Sequence, residues 1–206
     1  MKEQRTHIRI AKLLYIASLA SLCLGGAVAC TKRITENCVL TSEDYAVYSS
    51  VFLDIDKRGN STDKTELIIS EATVSGEDYH LTSQDVQRLV KEASDDTVAS
   101  FNARRKSTCH LKPHLSGAIS YRVVSSEDLT KAFTKDRGGW ESFYKEYPRT
   151  AGIVHLSAVG YNTGETEALV YVGNNCGGLC GGGYLFLLAK QNGHWEVKHE
   201  AQVWVS

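Results

Sequence analysis

Two cysteines, Cys176 and Cys180, lie among five glycines in the stretch NCGGLCGGGY, residues 175–184. A thiol pair so placed has several possible chemistries. Redox exchange of the thioredoxin kind uses C-x-x-C at a strand-to-helix junction, and this pair has one residue too many between its cysteines. A phosphate cradle needs the Lys-Ser/Thr of a P-loop and a following helix, whereas the YLFLLAKQ that follows reads as a strand. Zinc would require Cys176 and Cys180 to be joined by His110 and His114, and Pro113 opposes a helix presenting both histidines on one side. A catalytic thiol paired with His155 or His194 requires that the thiol stay reduced. The remaining reading is a covalent clasp, with Cys176 bonded to Cys180 across a turn. Asn174, Asn175, Gly177, Gly178, Gly181 and Gly182 would then form a possible binding loop. Glycine suits such a loop because it accepts positive φ and lets other groups approach the backbone.

Catalytic residues can also gather from distant positions. The alternative function is therefore a secreted hydrolase or metal-dependent enzyme using His110, His114 or His155 with an acidic partner. Asp54-Ile-Asp-Lys-Arg-Gly59 resembles the start of a calcium loop, but Arg58 replaces a ligand and Thr65 stands where the bidentate Glu belongs. Turn chemistry is expected there, and neither a metal nor a cofactor is expected anywhere.

Whether the sulfurs pair depends on the compartment. Lys2, Arg5, Arg9 and Lys12 precede an apolar run from Leu13 to Leu24 and then GGAVAC, the order of a secretory signal peptide. Ala27-Val28-Ala29 fits ordinary signal peptidase, and Ala27-Val28-Ala29-Cys30 resembles a lipobox. Cysteine parity favours the second. Cys23 leaves with the signal at 1–29, acylation (palmitate) occupies Cys30, and Cys38, Cys109, Cys176 and Cys180 remain as an even set. Cys176 with Cys180 and Cys38 with Cys109 is the expected pairing, although four cysteines allow three connectivities. The expected location is the bacterial cell envelope: an exported lipoprotein held on a membrane, the outer one facing the periplasm, with a soluble periplasmic or secreted form as the alternative.

Removal of the first thirty residues takes four basic residues and Glu3, leaving 19 Lys plus Arg against 23 Asp plus Glu, a net charge of −4. Nucleic-acid binding, whose footprint is a strong basic excess, is not expected. Arg104-Arg105-Lys106 is too short a run to reverse this and suits a helix C-terminus. The expected partners are the membrane, through the lipid, and an unidentified protein or small-molecule ligand.

Residues 30–40 read as a lipidated N-terminus and short tether, and 41–206 as one domain. Helices are expected from Thr41 or Ser42 to about Leu53, and from Thr82 or Ser83 to about Arg105 as the longest. Another is expected after Ser125 or Ser126, and a turn places Trp140, Phe143, Tyr144 and Tyr147 on one stripe before Pro148. ELIISEATV and the stretch from Ala118 to Val124 read as strands. From Ile153 the period becomes two. GIVHLSAVGY, TEALVYVG, GYLFLLAKQ and HWEVKHEAQVWV read as four strands, the last two joined by Asn192-Gly193, a strong hairpin signal. The expected fold is α+β, with helices on one face of a four-stranded antiparallel β-meander formed by the C-terminal third and the other face wetter.

The segment from Trp140 to Ser206 resembles a group of bacterial exported proteins and lipoproteins with no established activity. Its marks are WESFYKEYP, LSAVGYN, ALVYVG, the cysteine-glycine hairpin and NGHWEVKHEAQVWVS. The resemblance implies a domain and no mechanism. The L-x-K-x-N-G-x-W-x-V ending also resembles the last hairpin of cone-shaped α+β folds such as the NTF2-like group.

Overall fold

Thr41 starts helix α1 (Ser42–Lys57) with a capping box: its hydroxyl accepts the Asp44 N–H, and the Asp44 carboxylate accepts the Thr41 N–H. The computed structural model describes residues 38–58, 66–75, 78–79, 81–117 and 120–206. The expected signal peptide at 1–29, Cys30, the expected tether up to residue 37, residues 59–65 and the first two residues of the strand expected from Ala118 lie outside the described residues. After α1 come β1 (Glu66–Ser70), α2 (Ser83–Leu89), α3 (Asp95–Arg104), β2 (Tyr121–Val124), α4 (Ser126–Thr134) and α5 (Trp140–Glu146). The C-terminal part supplies β3 (Thr150–Leu156), β4 (Gly160–Tyr161), β5 (Glu167–Gly177), β6 (Cys180–Gln191) and β7 (His194–Val205). The fold is α+β. Among the described residues, no helix is long and apolar enough to cross a membrane.

The sheet is larger than a four-stranded meander and is mixed. β3, β5, β6 and β7 do follow one another antiparallel, but β1 lies parallel against β3, and β2 parallel against β1. Among the described residues the sheet has seven strands in the order β2-β1-β3-β5-β6-β7, with β4 pairing β5. Parallel strands need long crossovers, and α2 and α3 fall within the one that separates β1 from β2.

Helices cover both faces, which corrects the expectation of one wet face. Adjacent residues on the strands point to opposite sides. Thus Ile69, Val154, Val170 and Phe186 join Tyr48, Val51 and Phe52 of α1 in one buried cluster. Their neighbours Leu169 and Leu185 join Val86 and Phe101 of the α2 and α3 region in a second. Ile68 and Ile153 join Leu129 of α4 and Phe143 of α5 in a third. The unbroken apolar runs ALVYV and LFLLA are the mark of strands buried on both sides. Each fully buried Leu or Phe contributes roughly 2 kcal/mol from burial. The stripe expected at Trp140 to Tyr147 is core: Phe143 is fully buried among Phe133, Trp140, Tyr144 and Tyr147.

Two elements expected to be continuous are broken. The long helix ends at Leu89 and restarts at Asp95, leaving α1 the longest among the described residues. Ser94 makes the restart tertiary, because its N–H and its hydroxyl both donate to Glu167 Oε1, at 2.8 and 2.6 Å. GIVHLSAVGY divides into β3 and β4 at Ser157, whose hydroxyl accepts the Tyr171 N–H at 2.9 Å in place of a ladder carbonyl. At Gly160 a Cβ would fall on the Phe101 backbone, so α3 can lie directly against β4 only where that side chain is missing.

Candidate functional site

The expected clasp forms where β5 meets β6. Cys176 and Cys180 are disulfide-bonded with their Cα atoms 5.1 Å apart. Asn174 pairs with Gly182, Asn175 with Gly181, and Gly177 with Cys180, and the register shift between Asn175 and Gly177 makes Cys176 the extra residue of a bulge. Gly178 and Leu179 form the turn. Tyr144 on α5 donates its hydroxyl proton to the Cys176 carbonyl at 2.8 Å, so the aromatic cluster holds the hairpin near its tip.

The five glycines have separate causes, and none is the positive φ anticipated from the sequence, because none of them adopts one. Gly181, Gly182 and Gly183 answer to close approach in differing degree: a Cβ on Gly183 would strike Trp204 and the Tyr171 hydroxyl, one on Gly181 would strike the Asn174 carbonyl and crowd Trp204, and one on Gly182 would crowd the Tyr184 ring at 3.1 Å. Gly173, across from Gly183, likewise makes room for the Tyr171 hydroxyl. At Gly178 a Cβ would meet nothing, and at Gly177 it would only touch the Cys180 Cβ at an ordinary 3.4 Å.

The bare strand surface left by Gly173 and Gly183 holds an aromatic layer. Trp204 Nε1 donates to the Tyr171 hydroxyl at 2.8 Å, and Tyr79 stacks on Trp204 with its ring centroid 5.9 Å away. Burial pushes Tyr79 up to about 12 and raises Tyr171 further, so both phenols stay protonated. Sequence reading missed this layer, for which the paired glycines were the available signal. It also missed the buried Asp44, which accepts from the Tyr161 hydroxyl at 3.1 Å and pairs with Arg104 at 3.3 Å. That carboxylate is satisfied on every side and serves as a pin between α1, α3 and β4.

Asn174 donates through Nδ2 to the Ala151 carbonyl at 3.0 Å. The side-chain oxygens of Asn174 and Asn175 are shielded from solvent and have no partner among the described residues. Such acceptors are uncommon in native structures. Gly152, at φ +107°, lets β3 pass against the Asn175 and Cys176 backbone, where a Cβ would collide.

The other expected residues are dispersed. Cys38 is bonded to Cys109, Cα to Cα 4.7 Å, and stitches the chain ahead of α1 to the segment after α3. Cys109 is fully buried, and its N–H donates to the Thr73 hydroxyl at 2.8 Å. His110 is exposed, with Nδ1 3.7 Å from Glu71. His114 packs edge-on to Tyr45, centroid to centroid 5.4 Å, beside an open cavity of about 300 Å³ lined also by Leu40, Thr41, Ala46 and Ser116. His155 lies on β3 opposite Gly173, and burial lowers its pKa while Asp78 opposes the shift. His194 is exposed at the β6–β7 turn. Asp54 and Asp56 belong to α1, where Asp54 pairs with Arg58 at 3.1 Å. Among the described residues, no group of three or more His, Cys, Asp or Glu is arranged to hold a metal ion. No protein-family model matches this chain, and no curated protein or solved structure is significantly similar to it.

Proposed function

We propose that this chain is an exported module of the bacterial cell envelope, anchored through an acylated Cys30, which binds a protein or small ligand or serves a structural role instead of catalysing a reaction. The observation that carries the reading is that all four cysteines of the described domain are joined in pairs. Such pairing is consistent with an exported protein, because reducing compartments keep thiols free. The signal-like N-terminus and the parity of the remaining cysteines support the same reading. His110, His114 and His155 meet Glu71, Tyr45 and the Gly173 side of the sheet respectively, which lends little support to a hydrolase built on them. We assign the ligand surface to the glycine hairpin, whose Gly178, Leu179 and Cys180 are exposed, and to the sheet end beside it.

Mass spectrometry of the N-terminus of protein purified from its native envelope tests the anchor. A Cys30 terminus carrying acyl chains is expected, and an unmodified terminus at any cleavage point removes the lipoprotein. A peptide map without reduction tests the pairing.

A further inference from the structure

We propose that the Cys176–Cys180 disulfide is a thiol-exchange site, opened and closed by an exported dithiol protein that grips Leu179. The proposal rests on the exported reading only in that the cysteines are oxidised. The two disulfides differ in access. In one, Cys109 is fully buried under its Thr73 contacts and Cys38 is half-buried; in the other, Cys176 is half-buried and Cys180 is exposed at the end of a hairpin. Exchange requires a thiolate to reach one sulfur from outside, so access governs which bond reacts.

The glycines sharpen the contrast. Gly181, Gly182 and Gly183 answer to close contacts, but Gly177 and Gly178 have neither positive φ nor a clash to avoid. An ordinary side chain fits at both positions. A side chain at Gly177 would lie against Cys180, its Cβ 3.4 Å from the Cys180 Cβ, so the bare backbone there leaves the disulfide uncovered on that side. Beside it Leu179 is 91% exposed, the largest exposure among the large hydrophobic residues of the described chain. An apolar side chain next to an uncovered disulfide offers a protein partner a contact that a small thiol does not use.

The step balances as follows. The partner's thiolate attacks Cys180 Sγ, the Cys176–Cys180 bond breaks, and Cys176 leaves as a thiolate that takes up a proton. The partner's second thiol then attacks the mixed disulfide, releasing Cys180 and leaving the partner oxidised. Two electrons and two protons have passed to the hairpin. The strands stay paired through the ladder from Glu167↔Ala189 to Asn175↔Gly181, so the opened form keeps its fold, and the partner's disulfide form takes the two electrons and two protons back by the reverse of the same two exchanges.

The test uses the oxidised full chain, treated separately with dithiothreitol and with thioredoxin as a C-x-x-C probe, then alkylated at intervals and mapped by mass spectrometry. Cys176 and Cys180 are expected to become alkylated at least about tenfold sooner than Cys38 and Cys109. Gly177→Val, whose side chain starts 3.4 Å from the Cys180 Cβ, is expected to slow the hairpin reaction several-fold with both reagents while leaving the circular dichroism spectrum unchanged. Leu179→Ser is expected to slow thioredoxin alone. Equal rates at the two disulfides, or a Gly177→Val hairpin that reacts as fast as the parent, overturn the exchange site. An unaltered thioredoxin rate in Leu179→Ser overturns the contact. Neither readout depends on the state of the N-terminus, so a failed anchor and a failed exchange site are told apart.

Discussion

The hydroxyl of Tyr144 donates to the carbonyl of Cys176 at 2.8 Å, joining helix α5 to the bulge that carries the hairpin disulfide. Tyr144→Phe removes this bond while keeping the ring against Trp140 and Phe143. The expected loss is about 1 kcal/mol of stability, together with faster hydrogen exchange around Cys176. Urea unfolding and amide exchange by mass spectrometry read the two effects.

Substitutions at glycines separate close approach from open space. Gly160→Ala drives a methyl into the Phe101 backbone and should cost about 2 kcal/mol or more. Gly178→Ala meets nothing and should fall within about 0.5 kcal/mol of the parent. Thermal or urea denaturation of the pair checks the distinction.

The two disulfides close loops of very different size, with sequence separations of 71 and 4. On chain entropy the Cys38–Cys109 bond contributes about 4 kcal/mol and the Cys176–Cys180 bond about 2. Replacing both cysteines of a pair by serine should reproduce that order in urea midpoints, with the 38/109 variant the weaker fold.

His155 makes stability depend on pH. Its folded pKa lies below the ordinary 6.5 because the sheet side of β3 is desolvated. The unfolded chain therefore accepts a proton that the folded one refuses, and the contribution is complete above the unfolded value and lost as pH falls through the folded one. Urea midpoints taken at about pH 8 and about pH 5 should decline toward acid. His155→Gln should flatten part of that decline.

Signals that act between chain neighbours match the structure at the helix caps and at the last hairpin. Thr41 caps α1, Ser125 caps α4 by accepting the Asp128 N–H at 3.1 Å, and Asn192-Gly193 turns β6 into β7 with φ values of +50° and +81°. The expected cysteine pairing also forms, since short glycine-rich spacing brings Cys176 to Cys180 and parity leaves Cys38 for Cys109. The candidate site was half legible. Its cysteines and glycines stood out by type, but the Tyr144 hydroxyl that supports it and the aromatic layer of Tyr79, Tyr171 and Trp204 did not.

What escaped the reading has a common origin in groups that lie far apart along the chain. The parallel strands β1 and β2 join the sheet edge across helices, and their pairing depends on a register that no short pattern encodes. The break before Asp95 follows from a glutamate on β5 that binds Ser94. The amino-acid order thus settles caps, turns and apolar runs, because these depend on bonds spanning a few residues. Packing of both sheet faces settles where helices stop, which glycines are obligatory and which disulfide meets solvent, because steric exclusion acts between surfaces that meet only after folding.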